Sequence, residues 1–138
     1  MLLNNGNPYT GCFDIKMYDS GGVELTHSTV RPAGFVAIAS GSLNSTVLPA
    51  NAFDDNESTS NWLAPATTGW IGCDFGSGTT RAVKTFSIVG VGNMLSVTNQ
   101  TFQSFNLEYS SDAISWNVLK SYTGYTTWAV GEVKSFTT

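Results

Sequence analysis

Charge is what this sequence has least of: Asp, Glu, Lys and Arg together make up 12% of its 138 residues, roughly half the usual share. That scarcity excludes a helical bundle laced with surface Glu and Lys, whose outer faces need such residues. The polar load falls instead on Ser and Thr, 33 residues together. The few charges lean acidic, with 6 Lys and Arg against 10 Asp and Glu and a net charge of −4. Nucleic acid and anionic membranes are therefore poor partners, because neutralising phosphates needs clustered Lys and Arg. Cysteine is nearly absent too. Cys12 and Cys73 are too few for a disulfide framework, and each lies in an apolar stretch, as a buried reduced thiol does. No apolar run approaches the roughly 18 residues of a membrane-spanning helix, so no membrane insertion is expected. Met1-Leu2-Leu3 gives way at once to Asn4-Asn5-Gly6-Asn7-Pro8, which lacks the apolar stretch of a secretory leader. The expectation is folding in a cytoplasm.

The usual catalytic motifs are missing as well. His27 is the single histidine, with no second ligand at metal spacing, so no zinc site can be built around it. No Gly-x-Ser-x-Gly elbow supports a nucleophilic serine. Gly90-Val91-Gly92 lacks the third glycine and the helix of a nucleotide loop. Asp54, Asn56 and Ser58 have EF-hand spacing, but the turn glycine is absent and Pro65 stands where the bidentate glutamate belongs. The chain is read as a non-enzyme.

What is present is alternation. Phe13, Ile15 and Met17 alternate with Asp14, Lys16 and Tyr18, the period-2 mark of a half-buried strand. Ile71, Cys73 and Phe75 share one face of a second strand, and Phe105, Leu107 and Tyr109 one face of a third. Shorter strands are predicted at residues 23–25, 36–39, 116–119, 128–130 and 133–136, and a β-branched run covers 83–91. Gly, Ser, Asn and Asp punctuate these segments about every 10–15 residues, the rhythm of an all-β sandwich or barrel. The length suits a single domain over 1–138.

One constellation carries more. Ala52-Phe53-Asp54-Asp55-Asn56-Glu57-Ser58-Thr59-Ser60-Asn61-Trp62 is followed by Trp70-Ile71-Gly72-Cys73-Asp74-Phe75-Gly76. Then come Phe105-Asn106-Leu107-Glu108-Tyr109-Ser110-Ser111-Asp112 with Trp116, and Trp128 with Gly131-Glu132. In this order the chain resembles the discoidin family of galactose-binding-like jelly rolls, which includes coagulation-factor C domains and carbohydrate-binding modules. The resemblance covers about residues 33–136. Asp55 and Ala113 stand where the family has glycine, and Asn61 is one residue extra before Trp62. The fold so implied is an eight-stranded jelly-roll sandwich. The family's last strand bears a glutamate; here that pattern appears near the start, in Cys12 to Met17, with Asp14 at the acidic position. Modules arranged this way resemble those on bacteriophage tail, fibre and other virion proteins, which reach the outside within a particle.

The resemblance implies a structural calcium at the acidic loop, held by Asp54, Asn56 and Thr59 with Asp14 as a remote ligand. The residues themselves leave a second reading open, in which these side chains only bond the loop's own amides. Trp62, Trp70, Trp116 and Trp128 fall on family scaffold positions and are expected in the core. Tyr9, His27, Arg31, Phe35, Tyr122 and Tyr125 are left as candidate ligand contacts. Two functions follow: a virion module that recognises host-surface glycans, or a purely structural virion piece docked on other chains. Residues 1–11, Asn-rich and poorly alternating, read as an N-terminal arm that leaves an edge unpaired. That edge implies a homo-oligomer or a contact with other virion proteins through residues 1–12 or 128–138.

Overall fold

A computed structural model describes residues 2–4, 8–92 and 100–138. Its strands run in chain order as β1 (Leu2–Asn4), β2 (Thr10–Cys12), β3 (Asp14–Tyr18), β4 (Val36–Ala39), β5 (Trp62–Ala64), β6 (Thr68–Asp74), β7 (Thr85–Val89), β8 (Ser104–Tyr109), β9 (Asn117–Tyr122) and β10 (Val133–Thr137). The one helical element among the described residues is a 3-10 turn at Pro49–Phe53, opened by proline at its first position. Proline suits that place because its missing N–H would lack a partner there in any case.

The strands form a five-stranded sheet in the order β4-β6-β1-β8-β9, a three-stranded sheet in the order β10-β7-β3 and a β2-β5 pair. All pairings are antiparallel. The two larger sheets close over an aromatic core. Phe105 and Tyr122 of the first meet Phe86 and Phe136 of the second at centroid distances of 5.0 to 6.2 Å, counting the stacked Phe86–Phe136 pair. Ring pairs in this range add about 0.5–1.5 kcal/mol beyond the area they bury. The chain is an all-β sandwich, as its alternation implies, with ten strands among the described residues where the resemblance implied eight, the additions including the three-residue β1 and β2.

Sequence and structure part at three places. Residues 1–11 are not a free arm: β1 inserts between β6 and β8, with Leu3 opposite both Gly69 and Phe105, and β2 pairs with β5. The segment thus supplies two paired strands of its own, β1 and β2, instead of an arm, and leaves no unpaired strand among its described residues. Residues 1 and 5–7 of that segment lie outside the described residues. Second, Phe13 does not share a face with Ile15 and Met17. A bend at Phe13 between β2 and β3 shifts the phase, sending Cys12, Ile15 and Met17 into the main core. Phe13 enters a second buried cluster with Val47, Leu63, Val89 and Val91. Asp14, next to that bend, is buried as well. Third, two of the predicted strands do not form: residues 128–130 are irregular chain entering a turn, and at 23–25 only Glu24 makes an isolated bridge, to Tyr18.

The β2–β5 pair depends on glycine. A Cβ on Gly11 would lie 2.1 Å from the Trp62 carbonyl oxygen, so no other residue fits. Trp62 itself is fully buried, and its indole N–H donates to the Gly41 carbonyl at 2.8 Å.

Candidate functional site

Two regions hold the candidate residues. The first is the acidic loop. Asp54 Oδ1 accepts from the Asn56 amide at 3.0 Å, and Asn56 Oδ1 accepts from the amides of Ser58 and Thr59 at 3.2 and 3.0 Å. Asn56 Nδ2 donates to the Thr59 hydroxyl at 2.7 Å. These side chains therefore tie the loop to itself. Asp14 projects from β3 toward the same region: burial pushes its carboxyl up to about 7, Lys16 and the Ile15 amide pull it down, and Asp55 and Asp54 push it up further. Its Oδ1 accepts from the Ile15 amide at 3.0 Å, while its Oδ2 is buried without a hydrogen-bond partner. Lys16 Nζ lies 3.9 Å from that Oδ2 and is ion-paired with Glu57, which places an ammonium between strand and loop. Among the described residues no group of three or more His, Cys, Asp or Glu side chains is arranged to hold a metal ion.

The six residues proposed as ligand contacts do not converge. Tyr122 is buried, stacked on Phe105 at 4.8 Å, with its hydroxyl donating to the Thr137 carbonyl at 2.8 Å. Tyr125 packs against Phe136 at 5.2 Å. Both belong to the core, because Tyr122 closes β9 on the inner face and Tyr125 follows it inward. Arg31 donates to the Phe53 carbonyl at 2.7 Å and lies over the Phe35 ring at 4.9 Å, so this pair clamps a loop. Phe35 in turn makes edge contacts with Phe53 and Phe75. His27 is half-exposed, with Nδ1 2.9 Å from the Thr29 hydroxyl and Nε2 3.9 Å from Asp55. Tyr9 is half-buried at the other side of the bend.

The second region was not expected to be a site. Where β6 runs into residues 75–83 and β8 turns through 110–116 into β9, the surface sinks into a concavity of about 1120 Å³. Trp70, Tyr109 and Trp116 line it, at 38%, 56% and 42% exposure. Two of the four tryptophans thus stand outside the core, while Trp62 and Trp128 lie within it. Strand phase explains Trp70: Ile71 and Cys73 face the core, so Trp70, Gly72 and Asp74 must face outward. That signal was available in the sequence. Trp116 escapes because the hairpin holding it is exposed throughout. Polar groups accompany these rings. Asp74 Oδ1 accepts from the Gly76 amide at 2.8 Å, and Asp112 Oδ1 accepts from the amides of Ile114 and Ser115 at 2.9 and 2.8 Å. Those amides, from Ser115 first and then Ile114, with the Ser110 hydroxyl, hold the Asp112 carboxyl down at about 2. Glu108, on the outer face of β8, and Arg81 complete the set.

The Trp128-Gly131-Glu132 stretch is a fold device. Trp128 Nε1 donates to the Phe102 carbonyl at 2.9 Å, Gly131 takes φ 74°, and Glu132 accepts from the Ala129 amide at 2.8 Å. Lys134 lies over the Trp128 ring at 4.7 Å.

Residues 36–137 match the family model of the F5/8 type C domain. No curated protein and no solved structure matches the chain.

Proposed function

Because the chain belongs to the F5/8 type C domain family, we propose that it is a non-catalytic module that binds a glycan in the concavity beside Trp70 and Trp116. The observation that carries this reading is the pairing of exposed aromatic faces with carboxylates in one depression. Sugar sites are built that way, with rings stacked on aromatics and hydroxyls fixed by polar side chains. The setting we propose is a bacteriophage particle, where the module meets host-surface glycans. That part rests on the resemblance of its strand order and its Trp-x-x-Gly-Glu stretch to virion modules. A glycan array with soluble protein tests the reading: binding lost in Trp70→Ala and Trp116→Ala supports it, and no binding to any glycan refutes it.

A second reading has its own observation. Strand β9 is an edge of the five-stranded sheet, and Val118, Leu119 and the preceding Ile114 are exposed. An apolar edge invites contact with another chain, which favours a structural virion piece that docks on partners or on copies of itself. Sedimentation across a concentration series distinguishes the two readings.

A structural calcium at Asp54, Asn56, Thr59 and Asp14 is a separate proposal. Its support is the orphaned Asp14 Oδ2, a buried carboxylate oxygen of the kind a hard cation takes. Binding requires Asn56 and Thr59 to release one another.

A further inference from the structure

Gly72 is a glycine that the fold does not need. It lies inside β6, opposite Ile38, and its backbone is outside the left-handed region. A Cβ built on it meets nothing within 4 Å. Elsewhere a strand glycine has a packing reason: a Cβ on Gly11 would collide with the Trp62 carbonyl oxygen, and one on Gly69, in the same strand as Gly72, would crowd Ser40 Oγ at 2.9 Å. Glycine in a strand interior costs about 0.5–1 kcal/mol, and one physical reason to keep it where packing does not demand it is the close approach of a ligand. Gly72 faces the concavity between Trp70 and Asp74, the outward residues on either side of it.

Resting on the glycan reading above, we infer that a neutral or amino-bearing sugar ring lies over Gly72 against Trp70, and that acidic sugars are excluded. The bare glycine gives the ring a flat floor beside the indole. The charges decide the class. Asp74 and Asp112 are fixed by turn amides, and the Glu108 carboxylate makes no hydrogen bond or ion pair among the described residues, against Arg81 as the one cation of the lining. A carboxylate-bearing sugar would be brought beside these groups in a partly dehydrated site, where like charges repel. An ammonium or a hydroxyl finds acceptors there instead.

The test uses the full chain on an array of matched neutral, amino-bearing and uronic or sialic trisaccharides, with titration calorimetry on the best binder of each class. The expected result is that acidic sugars bind at least about tenfold more weakly, a gap of about 1.4 kcal/mol, and that Glu108→Gln narrows it. Gly72→Val, suited to a strand, is expected to abolish binding while the melting temperature stays level or rises. Acidic sugars binding as well as neutral ones, or Gly72→Val binding normally while Trp70→Ala does not, would overturn this inference and leave the glycan reading standing. Binding that ignores Trp70→Ala would overturn both.

Discussion

Trp70 and Glu108 stand on the same outer face of the five-stranded sheet, with β1 between their strands. An aromatic plane and a carboxylate are thus held on rigid strands, not on loops, at the rim of one concavity.

The two classes of tryptophan are expected to respond oppositely to truncation. Trp70→Ala and Trp116→Ala remove exposed rings and should cost stability no more than about 1 kcal/mol. Glycan affinity should fall by about tenfold or more, as for truncated aromatic anchors. Trp62→Ala should cost about 3–5 kcal/mol through the cavity it leaves. Urea denaturation alongside binding titration checks both.

Asp55 and Ala113 are the non-glycine residues with left-handed backbone among the described residues, at φ 64° and 58°. They are also the two positions at which the resemblance puts glycine, the residue that left-handed backbone favours. Ala113→Gly should stabilise by about 1 kcal/mol, because left-handed alanine is strained by that order. Asp55→Gly should gain less, since it loses the bond from the Ser28 amide to Asp55. Chemical denaturation of the two variants decides it.

Asp14 predicts a pH dependence. Its carboxyl is raised from 3.8 to about 7, so between those values the folded state holds a proton that the unfolded chain releases. That contribution is complete below about pH 4 and is lost as pH rises through 7. At its ceiling it amounts to about 4 kcal/mol. Asp14→Asn should flatten the profile and be the more stable form at pH 8. If calcium binds the loop, millimolar calcium should stabilise the wild type above pH 7 and leave Asp14→Asn unmoved. Thermal melts from pH 4 to 8, with calcium or a chelator, read both effects.

If the β9 edge docks copies of the chain, Leu119→Lys should shift a sedimenting oligomer to monomer. A wild type monomeric at high micromolar concentration removes the basis for self-association there.

The strands whose apolar residues alternate were legible in the sequence, and so was the family. What was lost turned on single residues that change phase. The bend at Phe13 put Phe13 in a different cluster from Ile15. Leu107 pairs with Lys120 and Glu108 with Val118, leaving Leu119 as an extra residue in β9. Such a bulge decides which of Leu119 and Tyr122 is buried, and no alternation records it. The concavity was half legible: placing Ile71, Cys73 and Phe75 inward already placed Trp70 outward. β1 was invisible, since three residues next to an Asn-rich stretch show no period.

That short strand has a consequence for how the molecule assembles. Without residues 2–4, the five-stranded sheet is two separate hairpin-like pieces, β4 with β6 and β8 with β9. The segment that joins them is synthesised before either partner, and those partners end at Asp74 and Tyr109. Nascent β1 must therefore wait for most of the chain before its hydrogen bonds can form. Such distant closure slows folding, and meanwhile β6 and β8 each present an open edge. The centre of the sheet is thus joined by contacts between residues about 70 to 100 positions apart in the chain, Leu2 with Trp70 and Leu3 with Phe105.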